Sequence, residues 1–356
     1  MHTAMRTIPF FLFGGIPMSG ILVPSGGDDS SQIQVAIEVA VSGDGLVRLG
    51  RGVFQIARTI SIRKAVGVRI EGVGGCNPQN CGPGWSDIKR AVGTSLKWVG
   101  HHGGTLLEIL ASPDISLSRI ELDGGGTAGV LVQIETLYGW PSTAVDVKNM
   151  AFRNAAIGIQ LGSLQHPHGV NNDECTFESI ELYTEVGVRI CNDQSLCHRF
   201  SHVDNYSRIG IDIRQGGCVV IDRLIQSGSD KNRVGVAFSG GGVNAATLSI
   251  TNARLEAGCL LTCGGANQIV NVSSYCDAAG PNGVPWKIGP SALVSVRASS
   301  FQGPIAELAG APGAKAVLIV HDSALAKPIR ESIIYKNAHA YAAVEGVFVQ
   351  WTNAPA

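Results

Sequence analysis

Six glycines, each followed by an aliphatic residue or a cysteine, recur through the middle of this chain: Gly129-Val130, Gly158-Ile159, Gly187-Val188, Gly210-Ile211, Gly235-Val236 and Gly258-Cys259. Subtracting their numbers gives intervals of 29, 29, 23, 25 and 23 residues. A strand-rich unit returning every ~20–30 residues cannot bury its own apolar side, so it stacks on copies of itself. The result is a parallel β-solenoid, one coil per repeat. Residues at equal offsets from successive glycines then fall into columns, and surface neighbours follow from arithmetic.

Composition agrees. Charged residues are 15% of the 356, against about 25% in an ordinary globular domain, and glycine is abundant at 46 residues. Low charge with many glycines suits short strands and tight corners. A hydrophobic content of 45% excludes a disordered chain. A net charge of −1 provides no broad basic footprint for nucleic acid. The nine cysteines form no CxxC pairs, so zinc is not expected, and no motif calls for a cofactor. Cys76 and Cys81 share a Gly/Pro/Asn loop and could bridge in an oxidising compartment. Cys175, Cys191, Cys197, Cys218, Cys259, Cys263 and Cys276 fall in or beside strand segments, where cysteine is expected as a small buried hydrophobe.

Residues 1–27 read as an N-terminal arm or attachment segment. Its apolar stretch 8–18 is broken by Pro9 and Pro17 and is too short to span a membrane; a cleaved signal is the alternative. No other segment looks transmembrane. A capping helix is expected within 28–45, with Ser30 or Ser31 at its start and Asp28 and Asp29 near its positive end. Ile33, Ala36, Ile37 and Ala40 would share its inner face, and Gly43-Asp44-Gly45 would stop it. Coils then occupy 46–290, interrupted by a projecting loop at about 74–98. The less regular 291–356 reads as C-terminal coils, a cap or an assembly region.

The run GDDSSQIQVAIEVA, followed by GLVRLGRGVFQIARTISI and VGVRIEGVGG, resembles the opening of the pectate-lyase-like superfamily, which includes phage tailspikes and polysaccharide-degrading enzymes. The resemblance implies an all-β fold, a right-handed parallel β-helix with an N-terminal capping helix. It also implies a homotrimer, a virion or extracellular setting, attachment to a larger assembly through the N-terminal arm, and a surface polysaccharide as partner. Departures are specific. Polygalacturonase-like members carry Asn-x-Asp, Asp-Asp, Gly-His-Gly and Arg-x-Lys on successive coils, and this chain lacks that series. Pectin cleavage is therefore not what the resemblance implies here.

Offsets from the glycines pick out candidate site residues. Six before Gly187 and Gly210 lie Glu181 and Asp204, both flanked by residues expected to face inward or to be small and polar. Two like charges one coil apart repel and tend to share a proton, the state a glycosidic acid–base pair requires. Glu181 and Asp204 are the candidate catalytic pair. His202, Arg189, Asp212, Glu185 and Arg208 are candidates for binding substrate around it. Arg189 and Asp212 coincide two after their glycines. The position two before reads Glu185, Arg208, Arg233 and Glu256, so Glu185–Arg208 and Arg233–Glu256 are expected pairs. His166 and His168, in the polar loop 165–174, read as a corner rather than a metal site.

Two functions fit. One is a polysaccharide-cleaving β-helix of the tailspike type, a glycoside hydrolase or polysaccharide lyase. The other is a non-catalytic structural or receptor-binding β-helix of a virion or adhesin.

Overall fold

In the computed structural model each coil gives one strand to each of three parallel sheets, and about eleven turns stack along one axis. The structure describes residues 20–74, 93–137, 139–163, 165, 171–240, 246–265, 267–280, 283–346 and 348–349. Cys76, Cys81, His166, His168 and most of the N-terminal arm lie outside them. Among the described residues no helix is long and apolar enough to cross a membrane.

The first sheet runs from Leu46–Arg48 to Ala340–Glu345. Its inner column reads Val47, Ile70, Leu117, Val147, Phe177, Phe200, Ile221, Ile250, all in register. The third sheet's inner column reads Ile60, Leu107, Val132, Ile159, Val188, Ile211, Val236, Leu261. Parallel sheets pack this way because every strand alternates one aliphatic side inward, and each fully buried Leu, Ile or Val contributes about 1.5–3 kcal/mol. Phe177 stacks on Phe200 at 4.6 Å, one aromatic rung on the next.

Single residues in the left-handed region turn the chain between first and second sheets. Asn149, Ser179, His202, Asn252 and Ser274 stack there, with φ between 52° and 62°. Asn and His enter this region more readily than most residues, Asn because its short polar side chain bonds locally. A second stack precedes the first sheet, where Ala144, Glu174, Cys197 and Cys218 have φ of 54–60°.

The N-terminal helix α1 spans Ser30–Ser42 and buries Ile33, Ile37 and Ala40 against the first coil. Its start differs from expectation: Asp29 is the N-cap and makes no side-chain cap bond. Asp28 accepts from the Ala57 amide at 3.2 Å and Asp29 from the Gln55 amide at 3.0 Å. The two carboxylates tie the first coil to the helix's first turn, since Asp28 also accepts from the Ser30 amide at 3.0 Å and Asp29 from the Gln32 side chain at 2.5 Å. The excursion expected at 74–98 ends early, since Thr94–Trp98 is a strand paired with Gly52–Ile56 and Trp98 is buried. Beyond 290 the same three sheets continue in register through Ala340–Glu345, more regularly than the sequence indicates.

The glycine column holds only in the middle. A Cβ on Gly158, Gly187 or Gly210 would meet the carbonyl oxygen of the next glycine at 2.5 Å, so backbones approach there too closely for any side chain. At either end the register slips by two. Val130 pairs with Ile157, placing Leu131 opposite Gly158, and Val234 pairs with Cys259, placing Leu260 opposite Gly235.

Candidate functional site

Glu181 and Asp204 stand opposite each other on adjacent rungs of the second sheet. Ile180 and Leu182 point into the core, so Glu181 leaves on the outer side. Even so, Glu181 is 9% exposed and Asp204 only 4%. The outward column explains the cover: Ser95, Glu121, Ala151, Glu181, Asp204. The short Ala151 lets Glu121 and Glu181 share one cation, Arg153, whose Nε lies 3.0 Å from Glu121 Oε2. Arg153 also sits over the Tyr183 ring, 4.4 Å from its centroid. Tyr183 and Tyr206 stack at 4.3 Å, nearly parallel, on the same outer face one outward position beyond the carboxylates. His202, at its left-handed corner, brings Nε2 to 3.7 Å from Asp204 Oδ2.

Charge follows from this crowding. Burial, then the neighbouring Asp204 carboxylate, push Glu181 up to about 8, and Arg153 opposes them. Asp204 is also raised by burial, but His202 and Arg223 pull it back toward the ionised form. Burial beside Tyr206 and Glu181 holds the Tyr183 phenol well above its usual range, so it stays a neutral donor. Among the described residues no group hydrogen-bonds Glu181 Oε2.

Beside the pair, where second and third sheets meet, lies a cleft of about 960 Å³. Its lining includes Asn154, Tyr183, Glu185, Tyr206, Arg208 and Arg233. Corner length makes the cleft. Only Thr184 and Glu185 separate Tyr183 from Val186, whereas residues 124–129 and 227–233 form longer corners two coils away on either side. Short corners make the floor and long ones the walls. Tyr183 and Tyr206 stand between this floor and the carboxylates.

The expected binding residues divide. Glu185 and Arg208 line the cleft and pair at 3.1 Å. His202 adjoins Asp204. Arg189 and Asp212 do pair, at 3.1 Å, but on the third sheet beyond the corner, where Asp212 also holds Arg214 at 2.8 Å. They do not line the cleft. The expected Arg233–Glu256 pair does not form: the register slip puts Arg233 against Gly258, and Glu256 meets Arg254 at 3.5 Å. Sequence reasoning missed Glu121, Arg153, Tyr183 and Tyr206. The tyrosines carried a usable signal, since each lies four before its glycine. Of the seven cysteines expected to be buried, Cys197, Cys218 and Cys276 are exposed. Among the described residues no three or more His, Cys, Asp or Glu side chains are grouped to hold a metal ion.

No protein-family model and no curated protein sequence matches this chain. Solved structures do. The catalytic domain of a GH87 alpha-1,3-glucanase in complex with tetrasaccharides superposes with a TM-score of 0.57 at 10% identity, over 94% of this chain and 70% of that one. The A-module of the Azotobacter vinelandii mannuronan C-5 epimerase AlgE4 gives 0.51 at 12%, over 93% and 96%. The tailspike of E. coli bacteriophage HK620, in complex with a pentasaccharide, gives 0.52 at 13%, over 95% of this chain and 65% of that one. At such identities the likeness speaks to fold. The protein is a parallel β-helix, the fold these neighbours share.

Proposed function

We propose that this protein binds a surface polysaccharide in the cleft between its second and third sheets and hydrolyses a glycosidic bond with Glu181 and Asp204. The observation carrying this reading is the carboxylate pair on adjacent rungs, one member held protonated near neutrality, beside a cleft lined by Tyr183 and Tyr206. Glu181 gives its proton to the leaving glycosidic oxygen. Asp204, which ionises first because His202 and Arg223 favour its charged form, attacks the anomeric carbon. Glu181, now a carboxylate, takes a proton from the water that releases the sugar. Rungs ~4.8 Å apart match the ~5 Å carboxyl spacing of retaining glycosidases rather than the wider inverting gap. The stacked Tyr183 and Tyr206 rings, together with Glu185, Arg208 and His202, would orient the chain of sugars.

Several structural neighbours are named as acting on or holding polysaccharides, which supports a glycan ligand in a virion or extracellular setting. Exposed Ile269, Leu293 and Tyr341 share one outward column of the first sheet, a surface suited to lateral burial in a homotrimer. Light scattering that returns a stable monomer overturns the trimer. Attachment of the N-terminal arm to a virion belongs to the same proposal.

The close cover over both carboxylates favours a second reading, a glycan-binding rod without turnover. A reducing-end assay on bacterial surface polysaccharides separates them. Release by the parent, lost in folded Glu181→Gln and Asp204→Asn, supports hydrolysis. Release persisting in both variants removes the site, and binding without release favours the rod.

A further inference from the structure

The corner stack that leads into the first sheet carries two thiols with nothing to do in the chemistry above. Cys197 and Cys218 occupy the same place on consecutive coils. Leu196 bridges Gly217 just before them, and Arg199 pairs with Val220 just after, so the two cysteines face each other across one rung. Both are in the left-handed conformation, with φ of 60° and 56°, so their side chains leave the backbone in the same direction. In-register parallel strands set Cα atoms about 4.8 Å apart. That falls inside the roughly 4.4–6.8 Å over which a disulfide closes without moving backbone. The two are free and exposed, and both line a groove of about 620 Å³ that admits a small reagent.

We propose that Cys197 and Cys218 form a reversible disulfide that staples two neighbouring coils, with a low-molecular-weight disulfide such as oxidised glutathione as the oxidant. One thiolate attacks a sulfur of the oxidised glutathione and expels one glutathione thiolate. The second thiolate attacks the protein-bound sulfur and expels the other. Two protein thiols are oxidised, one oxidant molecule is reduced to two thiols, and no other acceptor is required. The staple joins the coil bearing Asp204 to the one bearing Arg223, which faces Asp204 electrostatically.

The other described thiols do not compete. Burial pushes Cys175, Cys191 and Cys263 up to about 12 and Cys259 to about 11, so they stay protonated. Cys276 is exposed but sits on the second sheet, with Arg254 and Ser300 as its rung neighbours. Cys197 itself is raised by partial burial and by Cys218 beside it, so the reaction quickens as the solution is made alkaline.

The test exposes the folded protein to oxidised glutathione, blocks remaining thiols, digests with trypsin without reduction and fragments the linked peptides to place each bond, because Cys191 and Cys197 share the tryptic peptide 190–199. The expected product joins the peptides containing Cys197 and Cys218, is absent from Cys197→Ser and Cys218→Ser, and is reversed by dithiothreitol. The parent's thermal midpoint should rise on oxidation while both serine variants stay unchanged. Separate glutathione adducts on the two cysteines, a link to Cys191 or Cys276, or a link between chains would overturn the proposal.

Discussion

The outward column of the second sheet has two halves, and only one carries carboxylates, for a reason the fold does not supply. Through the first half it reads Ser95, Glu121, Ala151, Glu181, Asp204; further on it reads Ile225, Arg254, Cys276, Ser300, Ala324. Both halves use the same sheet, the same rung spacing and similar apolar cores. Where the slot is Ser300 or Ala324 the helix stacks equally well, so carboxylates are not needed for stacking. Burying Glu121 and Glu181 around one arginine, with Asp204 on the next rung, costs free energy, because each group loses water that its partners only partly replace. A feature that stability does not require, placed beside a cleft, points to chemistry.

The widest separation between the halves should appear in turnover. Glu181→Gln keeps shape and removes the transferable proton, and loss of a general acid costs about 10²–10⁴-fold in rate. Ser300→Ala, at the equivalent slot five rungs along, should leave turnover within about twofold. Release of reducing ends by matched concentrations of folded protein is the measurement. Equal losses in both variants would erase the distinction between the halves.

Stability against pH comes next. Glu181 ionises at about 8 in the folded protein and near 4.5 when free of these neighbours. The folded state therefore binds more protons between those values, and its stability falls as pH rises through that window. The loss should be on the order of 3 kcal/mol after allowance for residual solvent screening. Denaturation midpoints across that window should decline for the parent and flatten for Glu181→Gln. His198 acts oppositely at lower pH. Fully buried, with Nε2 2.7 Å from Ser195 Oγ, it is pushed down to about 3 from 6.5, so stability drops as pH falls through that range.

Backbone crowding gives a smaller contrast. Gly187→Ala drives a Cβ to 2.5 Å from the Gly210 carbonyl, and overpacking of this kind costs about 1–3 kcal/mol. Leu260 occupies the corresponding slot three coils further on, so the requirement belongs to the cleft-bearing coils rather than to β-helices as such. An unchanged denaturation midpoint in Gly187→Ala would show that those coils can spread apart.

These contrasts explain what the sequence disclosed. Gly158, Gly187, Gly210 and Gly235 share a slot, so offsets within those coils found the Glu181–Asp204, Arg189–Asp212 and Glu185–Arg208 neighbours. Counting failed wherever a corner changed length. Gly158 lies seven after Ala151, while Gly187 lies six after Glu181, and that one added residue reverses the apparent side of every residue before it. Arg153 and Glu121 were hidden by that parity change. The Asp123/Ala128 irregularity displaced Gly129 in the same way. Burial of outward groups was also illegible, because alternation reports which side a residue leaves from, not how deep its neighbours make that side.

The smallest effect concerns the one predicted ion pair that lies in the cleft. Glu185 and Arg208 are 68% and 57% exposed, so water and salt screen them. Arg189 and Asp212 form a pair of the same 3.1 Å length on the third sheet, where Asp212 is 1% exposed and Arg189 19%. A double-mutant cycle on Glu185→Ala and Arg208→Ala should return a coupling of about 0.5 kcal/mol that fades with added salt. The same cycle on Arg189→Ala and Asp212→Ala should return a larger coupling that salt barely touches, because the low local dielectric strengthens it. Removing Arg208 should then show mainly in ligand affinity, while removing Arg189 should show mainly in stability. Equal couplings would mean that depth in the coil surface does not set the strength of these pairs. The division between a cleft residue that binds and a third-sheet residue that holds the fold would then fail.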